Sequence, residues 1–262
     1  MSAAAAAPGT RTRLEKAAFD NGFDRELGRS GDWLAYGSTH AALNVWLMAD
    51  TAGRLVAALS RADVAYALAE HGNAISTPLP AGAAAARIVS DFPALNRLLR
   101  RAYQFARTLP QGLLHEFEQK IAGMPRRTEA ERLVIQRVGQ DVFRNGLLEY
   151  WEGRCAITGL AVPELLRASH IKPWADCETD AERLDVFNGL LLAPHVDAAF
   201  DAGFVTFADD GAVIVSSALG MAEQAVLGLQ LPLKLQRVEP AHLEYLSFHR
   251  RNVFRVQDVR GT

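Results

Sequence analysis

At 262 residues and 49% apolar composition, the chain has room for one large domain or two small ones, each with its own core. A formal net charge of −2 supplies no global basic field, so any affinity for nucleic acid must come from local clusters of Lys and Arg. The sequence holds no apolar run of about 18 residues and so predicts no membrane span; its alanine-rich start, residues 1–12, lacks a signal-peptide core and reads as a disordered tail.

Only two cysteines occur, Cys155 and Cys177. So few in this length suit a reducing cytoplasm better than a disulfide scaffold. Neither belongs to a CxxC pair, so no structural zinc is expected.

In chain order, Trp33–Ser60 reads as short strands: Trp33 to Tyr36, Leu43 to Met48 and Leu55 to Leu59, with a turn at Asp50 to Gly53. Ser60 is placed to cap a helix over Arg61–Glu70 that stops at Gly72, with Asp63 in its first turn. Asn73–Ala86 has two prolines and an alanine run and reads as a loop. Ser90 or Asp91 caps a helix from Pro93 to Thr108. Its Arg97, Arg100, Arg101 and Arg107 form either a solvated face or a phosphate-contacting ridge. Pro110 breaks that pattern, and a short amphipathic helix near Leu113–Ile121 follows.

The reading places a small mixed α/β recognition or docking domain over 13–110, a linker region over 111–127 and a second domain over 128–262, for an α+β chain overall. Thr128 and Glu131 fit a capping box on a helix running to Trp151, with Leu133, Val134, Val138, Val142, Leu147 and Leu148 as its apolar stripe. Cys155 to Gly159 is a strand or turn. Phe204–Phe207 and Val213–Val215 flank an Asp-Gly at Asp210–Gly211, a hairpin signal. A closing helix spans Leu243–Arg251.

Chemistry concentrates between Leu165 and Phe207. His170 ends an apolar run. A neutral imidazole there could take a proton from water, or simply pack. Asn188-Gly189 is a turn signal, and an Asn can also donate to and accept from loop backbone at once. Asp197 and Asp201, four apart, share a helix face and form a hard-oxygen pair suited to magnesium or manganese. The bland alternative is a first-turn Asp favoured by the helix dipole and a solvated second one. His195 could reach the same ion from an irregular first turn. Phe200 points to the core.

These residues resemble the HNH endonuclease family, in its variant with Ala168-Ser169-His170-Ile171, Pro173-Trp174 and Asn188-Gly189-Leu190-Leu191-Leu192. Gly139-Gln140, Phe143-Arg144, Arg154 to Gly159, Phe200-Asp201, Gly203, His249-Arg250 and Val253-Phe254 look like the same family. The resemblance spans about residues 128–258, and the combination of motifs is highly specific.

The resemblance implies a C-terminal ββα-metal nuclease domain with flanking helices, cleaving DNA with a divalent ion. His170 matches the general base and Asn188 the residue that orients the base loop. The position nine after that Asn carries the family's final His ligand. Here it is Asp197, with His195 two residues earlier. Ser169 stands where an Asp or His ligand often precedes the base. Lys172 and Arg250 are candidate phosphate contacts, and Trp174 either packs or stacks on a base. The expectation is a cytoplasmic, restriction-like or defence endonuclease, working alone or as a homodimer. The alternative is a non-catalytic nucleic-acid-binding protein on a degenerate HNH scaffold.

Overall fold

Two units make up the computed structural model, Met1–Gly112 and Leu113–Thr262. The structure describes residues 8–50, 52–76, 78–125, 127–230 and 232–255.

The first unit opens with helix α1 (Pro8–Asp20). Of the expected disordered tail, residues 1–7 lie outside the described residues, whereas 8–12 belong to this helix. Good helix formers, the Arg11–Glu15 and Lys16–Asp20 pairs, and buried Leu14, Ala17 and Ala18 account for it. Strands β1 (Arg25–Ser30), β2 (Trp33–Gly37), β3 (Asn44–Ala49), β4 (Leu55–Leu59), β5 (Asn73–Ala74) and β6 (Ala85–Val89) form one antiparallel sheet in the order β1-β2-β3-β4-β6-β5. Strands β2 and β4 are buried at every position, which is why their sequences are apolar runs rather than alternations.

Arg87 faces the same side as its cross-strand partner Ala57 and donates to the Ala65 carbonyl of helix α2 (Ala62–Ala67). That side is the helical layer. The other side carries the cluster Trp33, Ala35, Trp46, Val56, Ala58 and Ala86, with Ile75 and Ala83 packed against it. Helix α2 is shorter than expected, ending at Ala67 before a 3-10 turn over Ala69–His71, and the Ser60 hydroxyl accepts from Asn44 N instead of capping it. Helix α3 (Phe92–Thr108) is capped by Asp91, which accepts from Ala94 N at 2.7 Å. The arginine face expected on it is divided: Arg101 is buried, while Arg97 and Arg100 are exposed.

Helix α4 (Pro110–Ile121) occupies most of the stretch expected to be a linker, and its Leu113 and Phe117 reach the positions of Gly146 and Gly139 on helix α5 (Glu129–Tyr150). The capping box at Thr128 and Glu131 is present. Along α5 the buried positions are Gly139, Val142, Phe143, Gly146, Leu147 and Tyr150, a 3–4 spacing. Leu133 and Val134, expected in that stripe, are exposed.

Against this face lies an antiparallel pair, β7 (Arg167–His170) and β8 (Gly189–Leu192), in register His170↔Gly189 and Arg167↔Leu192. The short helix α6 (Asp180–Arg183) sits in the loop between them, and helix α7 (Pro194–Asp201) follows β8 directly. The expected hairpin is β9 (Val205–Phe207) with β10 (Val213–Val215). Helix α8 (Met221–Val226) and the closing helix α9 (His242–Asn252) complete an α+β unit. Among the described residues no helix is long and apolar enough to cross a membrane.

Candidate active site

His170 closes β7, and its ring is held on two sides. Phe143 of α5 stacks on it with centroids 3.8 Å apart and planes 16° apart, and Trp174 meets it edge-on at 5.4 Å. Trp174 reaches this position because Gly139 leaves α5 bare: a Cβ there would sit 2.9 Å from the Trp174 ring. Arg144 fastens the chain entering β7, donating to the carbonyls of Leu166 and Pro163 at 2.7 and 2.8 Å. The Gly139, Phe143 and Arg144 positions of α5 thus form a cradle for one imidazole.

The His170 Nε2 lies 2.8 Å from the Arg183 carbonyl oxygen. A carbonyl can only accept, so Nε2 carries the proton and Nδ1 keeps its lone pair. Burial pushes the pKa of His170 down to about 4, so the ring is neutral at physiological pH. The side chain borders a cleft of about 350 Å³ shared with Ser169, Trp174, Asp201, His249 and Val253.

Asn188 is fully buried behind the base loop. Its Oδ1 accepts from Lys172 N at 2.7 Å, and its Nδ2 faces the carbonyls of Lys172 and Glu182 and the Cys177 sulfur at 3.2–3.3 Å. One side chain therefore ties both ends of the segment from Lys172 to Glu182. Arg183 adds a second tie, donating to the carbonyls of Cys177 and Trp174.

Helix α7 brings its acids to the other side of β7. Ser169 Oγ donates to Asp201 Oδ1 at 2.9 Å. The carboxyls of Asp197 and Asp201 are both pushed upward, by burial first and, at Asp197, next by repulsion from Asp201. The Ser169 hydroxyl and the Arg167 cation act on Asp197 in the opposite direction. Phe200 is fully buried, as its place on α7 predicts.

Among the described residues no three or more His, Cys, Asp and Glu side chains gather as a closed metal cage would require. His195 is exposed on the first turn of α7, and among the described residues it does not form a group of three with the two acids. The two carboxylates still fit a hydrated hard cation. Magnesium retains several waters and is commonly held by one or two carboxylates plus substrate phosphates. An ion there would relieve the repulsion that raises Asp197.

Both expected phosphate contacts have other work. Lys172 Nζ pairs with Glu182 Oε1 at 2.6 Å, and both side chains are largely covered. Arg250 donates to the Phe207 carbonyl at 2.7 Å and to Asp209 at 2.6 Å. Each is a brace, the first for the base loop and the second for the β9–β10 hairpin.

Sequence reading missed Phe143, Arg144 and Arg183 as builders of the site, although Phe143-Arg144 stands among the resembling fragments. It also missed His249. That ring is buried on the cleft wall, stacked on Phe200 at 4.0 Å, with its nitrogens near Thr206 Oγ1 and the Phe200 carbonyl.

Residues 155–208 match the family model described as an HNH endonuclease. That span holds both strands of the β7–β8 pair, the base loop, α7 and β9. No curated protein matches the chain. Among solved structures, a "Modification dependent TagI restriction endonuclease" is similar at 22% identity over 42% of this chain, with a TM-score of 0.30. The chain spans only 36% of that protein's length. By the family match and the β7–β8–α7 arrangement behind it, the second unit carries a domain of the HNH endonuclease family.

Proposed function

We propose that the protein is a divalent-metal-dependent DNA endonuclease that hydrolyses phosphodiester bonds, with His170 as general base. The observation that carries this reading is the Nε2–carbonyl bond of His170. It fixes the tautomer that leaves Nδ1 able to accept a proton from an attacking water at the cleft. Asn188 holds the base loop in place. Asp197 and Asp201 would hold a magnesium or manganese ion, which supplies electrostatic stabilisation of the charge that develops on the phosphate. Ser169 orients Asp201.

The test is nicking of supercoiled plasmid with magnesium, manganese or EDTA. Cleavage is expected with either ion and none with chelator. His170→Ala should retain DNA binding and lose at least a hundredfold in rate, the usual worth of general-base catalysis, about 10²–10⁴. A His170→Ala chain that cuts at the parent rate would sink the assignment.

The absence of a three-ligand group among the described residues favours one second reading, a nucleic-acid-binding protein that no longer cuts. The same assay separates them, because that protein would shift DNA and leave it intact with either metal. We further assign the active form to a restriction-like or defence role in the cytoplasm. The division into two units and the two free, buried cysteines support this. Cells expressing the parent chain, but not His170→Ala, should then resist transformation or phage challenge. One active site per chain makes double-strand cleavage the work of a homodimer or of two successive nicks.

A further inference from the structure

Alternation along β7 puts Arg167 on the same face as Ser169. That is the face on which α7 lies and on which Ser169 meets Asp201. Arg167 is exposed, and among the described residues its guanidinium has no hydrogen-bond or ion-pair partner. Several cations nearby in the unit's sequence and fold are committed: Lys172 to Glu182, Arg183 to Asp180, Arg237 to Glu152 and Arg250 to Asp209. Arg144 is spent on two backbone carbonyls.

An uncommitted guanidinium beside an acid pair has a particular use. It is near enough to be felt by Asp197, yet it does not close an ion pair with it. A cation held by the two acids would neutralise them and leave Arg167 facing solvent with five donors. Phosphate oxygens match that planar fork in charge and spacing.

We propose that Arg167 binds a backbone phosphate of the substrate strand beside the scissile one and so sets the strand's register on the Asp197–Asp201 pair. This rests on the nuclease reading above. Arg167 is a positioning residue: it touches substrate, and the bond-breaking steps remain with His170 and the acid pair.

The test uses the full chain in a His170→Ala background, which separates binding from cutting. Binding of a fluorescent 30-base-pair duplex is followed across a sodium chloride series. Arg167→Ala should weaken binding about tenfold and make the slope of log K against log salt shallower by about 0.9, the signature of one lost phosphate contact. Arg167→Lys should restore the slope but only part of the affinity, since a point charge cannot form the fork. In the cutting-competent chain, Arg167→Ala should lower kcat/KM by about the same tenfold. Manganese binding by paramagnetic resonance should be unchanged or tighter, and the melting temperature unchanged.

An unaltered salt slope with unaltered cleavage would overturn the proposal and leave the nuclease intact. Loss of manganese binding would overturn it in favour of a role in shaping the acid pair. If the parent chain neither binds nor cuts DNA, the nuclease reading itself falls, and this inference with it.

Discussion

Asn188 shows how much of a site can rest on one amide. Its partners lie at both ends of the base loop and include the backbone N–H of Lys172. Asn188→Ala should cost on the order of 2–3 kcal/mol in urea unfolding, the penalty for buried groups left unpaired, and should slow cleavage more than it weakens DNA binding. Asp185 lies just outside the site. It accepts from Phe187 N and from the Tyr245 hydroxyl, and burial pushes it up to about 6. A carboxyl raised in the folded state favours folding while it is protonated. Its contribution is full below about pH 4, the unfolded value, and is lost as pH rises through 6. Asp185→Asn removes that cost. The stability of the variant minus that of the parent, measured by urea unfolding, should therefore grow from pH 4 to pH 7, by on the order of 2 kcal/mol. A constant difference would place the charge of Asp185 in water. At this scale the sequence singles out His170, Asn188 and the acid pair as candidates, because the proposed chemistry restricts the residue type. The ion pairs of Lys172 and Arg250 were not legible, because a cation's partner is set by tertiary contacts that sequence spacing does not encode.

Elements were legible where local rules act alone. The capping box of α5 and the Asp-Gly turn between β9 and β10 stand as read, and of the two caps open for α3, Ser90 or Asp91, the structure has Asp91. Elements defined by their neighbours were not. Strand β1 is charged and exposed, and β6 begins as an alanine run, so neither carries a strand pattern, yet both pair with the strands beside them, β1 with a register shift between Glu26 and Gly28. The stripe of α5 failed at Leu133 and Val134 for the same reason: periodicity gives a face but not where its cover ends. Gly203 obeys a local rule of backbone geometry. It sits at φ +75°, where glycine is favoured, and a Cβ would collide with the Val253 carbonyl. Its own carbonyl accepts from Arg255 N at 2.9 Å, which fastens the end of α9 to the end of α7. Gly228 shares the positive φ, +66°, but has open space where its Cβ would be. Gly203→Ala should therefore cost well over about 1 kcal/mol by thermal melting, and Gly228→Ala about that or less. Equal losses would mean that backbone strain alone matters and that the contact with Val253 relaxes.

At the scale of the whole molecule, the division falls between Gly112 and Leu113, inside the stretch where proline and glycine had marked a junction. Helix α4 from Leu113 onward belongs with α5, since Leu113 and Phe117 pack at its glycines. The second unit thus has its own core, including Phe143, Leu147, Tyr150, Phe200 and Phe207, and contains every residue assigned to the reaction. The first unit carries a two-sided sheet and none of those residues. Its role was illegible because a buried sheet reports packing, and packing does not name a ligand. The recognition reading has a direct consequence. A chain of residues 113–262 should melt cooperatively and nick plasmid with manganese, because it contains every residue assigned to the proposed reaction. It should bind DNA more weakly than the full chain, and any preference among target sequences or modified bases should vanish with residues 1–112. Gel-shift titration and nicking on matched plasmids, modified and unmodified, measure both effects. Equal affinity and equal selectivity in the two chains would remove the first unit from recognition and leave it the docking role.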